Sequence, residues 1–120
     1  MDRVYIISRY RADTEREQEF NRKVARYFAK QITYEGKVPV APHLFYTQFL
    51  DDGIPDEREC GLGFGLFDLR NSQEFLLVAI DGVISEGMRA EIVEASRLGI
   101  HGRIVTMSRR EISEAMKVVV

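Results

Sequence analysis

One cysteine, Cys60, is all the thiol the chain has. It cannot form an internal disulfide, and no metal-binding cysteine spacing exists, which fits a reducing compartment and an expectation of no metal and no cofactor. Neither sign of charge dominates: 17 Lys and Arg stand against 19 Asp and Glu, for a net charge of −2. No global field recruits a nucleic-acid polymer or an acidic membrane. No apolar run approaches membrane-spanning length. Met1-Asp-Arg-Val-Tyr5 offers neither a basic n-region nor a long apolar h-region. A cytoplasmic protein is expected. Repeats and low-complexity segments are absent. What remains is 120 residues, 45% hydrophobic and 30% charged, the composition of one globular domain over 1–120 with one core.

Val4-Tyr-Ile-Ile7 is β-branched and aromatic and predicts the first strand. In the loop after it, Ser8, Arg9 and Arg11 are groups that hold phosphate or sugar. A solvated loop is the competing reading, although the first strand's carboxyl end is a usual ligand edge in doubly wound sheets. Thr14 to Glu35 reads as a long helix, with Phe20, Val24, Tyr27, Phe28 and Ile32 in an apolar stripe. Asn21 within it faces either the site or solvent. Gly36 ends it.

Val38-Pro-Val-Ala-Pro42 is a second, short or edge strand because of its prolines. His43 to Leu50 is aromatic without clean periodicity and predicts a pocket wall. His43 could bond a ligand or move a proton, against the plainer reading of a structural histidine. Phe45, Tyr46 and Phe49 stack on a base or else serve as core or subunit contacts. Gly53 and Pro55 punctuate a turn or flap. A helix then runs from about Pro55 to Arg70, with proline near its start. Gly61, Gly63 and Gly65 weaken that helix and suggest close packing. Gly61-Leu-Gly-Phe-Gly65 is no dinucleotide fingerprint: no strand precedes it and the spacing is wrong.

Phe75 to Ile80 is a charge-free run that fits a strand buried on both faces. Met88, Ile92, Ala95 and Leu98 then recur at helical spacing, and Gly99 stops the helix. Ser85 stands at the N-cap position, with Met88 where a full capping box needs Glu or Gln. Gly87 permits close backbone approach, and the first-turn N–H groups suit an anion. Glu91 lies about one and a half turns in, near the crevice at the strand's carboxyl end. Asp81 at that strand end is a second acidic candidate, with a turn residue as its equal reading. Gly102 to Thr106 is a fourth strand. Ser108 with Glu111 forms a capping box for a last helix whose Ile112, Ala115 and Met116 face inward. The tail from Val118 to Val120 is read as an added strand residue or a subunit contact. Strands alternating with helices imply parallel pairing and right-handed crossovers. The expected fold is an α/β three-layer sandwich with a four- to five-stranded parallel sheet in flavodoxin-like order.

With these elements placed, the chain resembles the nucleoside 2-deoxyribosyltransferase-like superfamily over nearly its whole length. The likeness rests on Val4 to Tyr10, on Asp68, and on Ser85-x-Gly87-x-x-x-Glu91. Ala41-Pro-His-Leu44, Thr47-Gln-Phe-Leu-Asp-Asp52 and Ile84-Ser-Glu-Gly-Met88 resemble an uncharacterised phage and prophage branch. The resemblance implies that Glu91 is a nucleophile on the anomeric carbon of a (deoxy)nucleotide or nucleoside. It implies that Asp68 holds or protonates the departing base, and that Ser8, Arg9 and Tyr10 line sugar and base. A Ser at position 85, where the transferases carry Asp, is similar to the 5′-monophosphate deoxynucleoside N-glycosidases and welcomes a 5′-phosphate. Expected ligand contacts are therefore Ser8, Arg9, Tyr10, Arg11, Asn21, His43, Asp81, Ser85, Gly87 and Met88. The expected function is N-glycosidic cleavage or base exchange. The alternative is a non-catalytic module that sequesters a signalling nucleotide. The resemblance also implies a homodimer or higher homo-oligomer, with residues 44–50 and the helix 55–70 as pairing surfaces.

Overall fold

The computed structural model describes residues 1–118. Four parallel strands form one sheet in the order β2-β1-β3-β4, with β1 Arg3–Ile7, β2 Val38–Val40, β3 Glu74–Ile80 and β4 His101–Met107. This is the expected α/β fold, and among the described residues the sheet has four strands rather than five. Residues 119 and 120, which carry most of the tail's expected role, lie outside the described residues.

Side chains alternate across β1 and β3 and so divide the core in two. Val4, Ile6, Leu76 and Val78 point to one face, where α1 (Glu15–Tyr34) and α5 (Arg109–Val118) cover them with Val24, Phe28, Ile32 and Ile112. Tyr5, Ile7 and Leu77 point to the other, against Leu69 of α3 (Pro55–Arg70) and Met88 and Ala95 of α4 (Glu86–Leu98). The proline-bearing β2 is an edge strand, as its sequence requires.

Local signals set the helix ends. The Thr14 side chain accepts from the Glu17 N–H to start α1. At Gly99 the φ of 70° reaches the left-handed region that ends α4. Ser108 and Glu111 bond reciprocally at 2.8 and 3.0 Å. Two expectations need correction. The second strand stops at Val40, and Pro42 instead opens α2 (Pro42–Phe45), which with a 3-10 turn (Tyr46–Gln48) occupies the aromatic segment. The Ser85 cap is also reciprocal, because the Met88 sulfur accepts from the Ser85 N–H at 3.5 Å where a carboxylate would otherwise do so.

Candidate active site

Tyr5 sits mid-strand in β1, 2% exposed, and a buried phenol needs a partner for its hydroxyl. That partner is Glu91: Tyr5 Oη donates to Glu91 Oε2. Glu91 is thus turned inward from α4 against the sheet. Burial pushes its carboxyl up to about 7, and the Tyr5 hydrogen bond pulls the other way. The same burial, then the Glu91 charge, raises the Tyr5 phenol above its ordinary value. Glu91 has no ion pair among the described residues, whereas Glu94, one turn on, takes Arg97 and Arg70 on the surface.

α3 roofs this pair. A methyl at Gly65 would lie 3.5 Å from Tyr5 Oη and 3.9 Å from Pro42 Cβ, so the glycine keeps the helix close to the phenol. Gly61 packs likewise on Leu50, but Gly63 faces open space, so only two of the three glycines meet the close-packing expectation. Three residues beyond Gly65, Asp68 accepts from Tyr46 Oη at 2.8 Å. Its charge adds to the rise in the Tyr5 phenol, so the two acids flank one tyrosine. That hydrogen bond to Asp68 also raises the Tyr46 phenol.

Six of the remaining expected residues divide between two cavities at the sheet's carboxyl edge, whereas His43, Ser85, Gly87 and Met88 line neither. Tyr10 and Arg11 line one of about 550 Å³, with Gln18, Thr47, Phe49 and Asp52 among its other walls. Thr47, Phe49 and Asp52 belong to the predicted wall and flap. His43 stacks on Tyr10 at 4.9 Å and 12°, and burial lowers its imidazole pKa while Asp52 opposes that. Ser8, Arg9, Asn21 and Asp81 line a second cavity of about 80 Å³. Asn21 is buried and donates to the Tyr10 carbonyl at 3.0 Å, fixing the β1–α1 loop. Asp81 has a φ of 54° and accepts from the Arg109 N–H at 2.9 Å. Neither cavity has Glu91, Asp68 or Ser85 in its lining.

At the start of α4, Ser85 Oγ accepts from the Met88 N–H at 3.2 Å, and Gly87 faces open space. Met88, expected at the ligand, is instead 1% exposed in the core beside Tyr5 and Leu77. Its helical spacing with Ala95 already marked it as a core position. Two residues escaped the sequence reading. Tyr5 passed as an ordinary strand aromatic, although a hydroxyl in a doubly buried strand is itself a signal. Arg109 lines the smaller cavity, and nothing in its local sequence distinguishes it from Arg110.

A family model described as a domain of unknown function (DUF7768) matches residues 2–105. No curated protein matches the chain. Among solved structures, a 2-deoxyribosyltransferase from the psychrotolerant bacterium Bacillus psychrosaccharolyticus superposes with a TM-score of 0.71 at 12% identity. That match covers 87% of this chain and 72% of the other. At that identity the likeness is one of fold.

Proposed function

The chain belongs to the DUF7768 family, whose description names no activity, and from the site itself we propose that it cleaves or exchanges the N-glycosidic bond of a (deoxy)nucleotide with Glu91 as nucleophile. The Tyr5–Glu91 pair carries this reading: a carboxyl sunk beneath α3, gripped through one oxygen, with the other oxygen left to react. A carboxylate with few water contacts is a stronger nucleophile than one on the surface. Glu91 Oε1 forms a bond to the anomeric carbon while the carbon–nitrogen bond breaks. Its electron pair leaves on the base, which then takes a proton. Water, or the nitrogen of a second base, opens the glycosyl ester and frees Glu91. The Tyr5 hydroxyl stabilises the carboxylate as it departs. Asp68 is the second acid, positioned with Tyr46 to hold the base. Ser85 and Gly87 at the α4 N-terminus receive the 5′-phosphate.

The same reading includes a homo-oligomer. α3 buries only Gly65 and Leu69. It leaves Leu62, Phe64 and Phe67 exposed, Phe67 by 63%, as are Phe45 and Phe49, and Phe64 packs on Tyr46 between those two rings. Side chains of this size supply most of the roughly 800 Å² that each partner gives a standard interface.

The test is free base released from a panel of deoxynucleotides, read by chromatography. Release by the native protein, lowered at least about 10³-fold in Glu91→Gln, is the expected result. Undiminished release by Glu91→Gln would remove the nucleophile. A second reading, a module that sequesters a nucleotide unchanged, is favoured by one observation: Glu91 lines neither cavity. Tight retention of intact nucleotide with no free base would establish it.

A further inference from the structure

The 80 Å³ cavity lies on the sheet face opposite Glu91, since its floor residues Val24 and Val78 belong to the α1/α5 core. Two polar side chains buried in its wall are under-used. Ser8 is 5% exposed, and its hydroxyl has no protein partner among the described residues. Asn21 is 8% exposed and commits an N–H to the Tyr10 carbonyl, leaving Oδ1 without a partner among those residues. No side-chain nitrogen or oxygen among the described residues is both sealed from solvent and unbonded, so these two oxygens open onto the cavity, a space large enough for a small polar group. Above them stand two arginines. Arg9 has no ion pair among the described residues. Arg109 lies 3.9 Å over the Phe20 ring and forks onto Glu17, Nη1 and Nη2 reaching the two carboxylate oxygens at 2.9 and 3.0 Å.

We infer that this cavity is an oxyanion site for a singly charged, two-oxygen group, a carboxylate or a phosphodiester, and that Glu17 stands in for that group when the site is free. The Arg109 fork already presents the geometry that two oxygens of one anion require. Stacking on Phe20 holds the guanidinium in place without the carboxylate. The Arg109–Glu17 pair is solvent-exposed, so exchanging Glu17 for a ligand costs little. Charge sets the valence. Once Glu17 swings out, Arg9 and Arg109 face only Asp81, whose Oδ1 stays on the Arg109 N–H. Two positive charges against one negative leave room for one more negative charge, not two. Ser8 donates from the wall.

Backbone amide spectra of the full chain, titrated with dimethyl phosphate and separately with acetate at constant ionic strength, test this. Saturable movement at Ser8, Arg9 and Arg109 with either anion is expected, and which anion binds more tightly identifies the ligand's acidic group. Dianionic inorganic phosphate at pH 8 binds more weakly than the better of the two. Glu17→Gln removes the resident carboxylate and tightens binding roughly threefold. Arg109→Gln weakens it about tenfold, and Ser8→Ala, which deletes only a hydroxyl, weakens it measurably should Arg109→Gln fail to fold. Linear shifts no larger than those with chloride would overturn the site, as would a Glu17→Gln protein that binds no more tightly. Neither result bears on base release, which depends on Glu91.

Discussion

Alternate residues of one five-residue strand serve two different ends. On the α1/α5 face, Val4 and Ile6 enter an all-apolar cluster with Val24, Phe28, Ile32 and Ile112. On the α3/α4 face, Tyr5 comes between them and carries a hydroxyl into the core, where it meets the one inward-turned carboxyl of α4. The first face is apolar inside, apart from the small cavity at its carboxyl edge, and charged outside. The second holds a phenol–carboxyl pair inside and exposes Leu62, Phe64 and Phe67 outside. Stability should therefore be concentrated on the first face and the proposed base-releasing chemistry on the second. Mutations that unfold the protein and mutations that silence it should then separate by strand parity.

The largest effect on stability should come from the apolar face. Ile32→Ala deletes a side chain with no exposed surface and leaves a cavity, at a cost of about 2–5 kcal/mol in chemical denaturation. Glu91→Gln, equally inward but on the other face, should not destabilise the protein at neutral pH, because it removes a poorly solvated charge and keeps a group that Tyr5 can bond. A Glu91→Gln protein that unfolds as readily as Ile32→Ala would erase the distinction between the faces.

Next in size is a pH effect confined to the second face. Folding lifts the Glu91 carboxyl from an ordinary 4.5 to about 7. Between those values the folded protein holds a proton that the unfolded chain has released. Glu91's contribution is therefore complete below about pH 4.5 and is lost as pH rises through about 7, for a change on the order of 1–3 kcal/mol. Denaturation midpoints should carry this slope in the native protein and lose it in Glu91→Gln. Under the proposed mechanism base release runs the opposite way, rising through about pH 7 as Glu91 ionises. A flat stability profile in that window would mean that the carboxyl is better solvated than its place beneath α3 implies.

How far the sequence disclosed this contrast depends on the reach of each interaction. The α1 stripe, the Ser85 and Ser108 caps and the Gly36 and Gly99 stops act within a turn or two, and each was legible. So was the sheet, because a charge-free run such as Phe75 to Ile80 has few alternatives. The depth of Glu91 was not: the motif placed it on α4, but only the helix's rotation against β1 turns it to Tyr5, 86 positions away in the chain. Arg109 and Glu17 are 92 positions apart, and no local pattern joins them. The α2 helix is only four residues long, below the length at which periodicity can be read.

A smaller effect tests the outside of the second face. Replacing Leu62 and Phe67 together with serine should leave the stability of the monomer within about 0.5 kcal/mol, since both are largely exposed. The same change should shift sedimentation from a dimer to a monomer if this surface is where copies meet. Loss of folding would instead place these side chains in a core.

Smallest of all is a methyl on Gly65. In helix propensity alone, Gly65→Ala gains up to about 1 kcal/mol. At 3.5 Å from Tyr5 Oη and 3.9 Å from Pro42 the new carbon sits at ordinary van der Waals distance, so little of that gain is lost to crowding. Thermal denaturation should therefore show a protein slightly more stable than native. Activity need not follow stability here, because the methyl fills the side from which α3 faces the Tyr5 hydroxyl. If ligand reaches Glu91 between α3 and the sheet, base release falls while stability rises, and glycine is retained there for access. If release is unchanged, the ligand approaches from the α4 side, and Gly65 serves only to seat the helix.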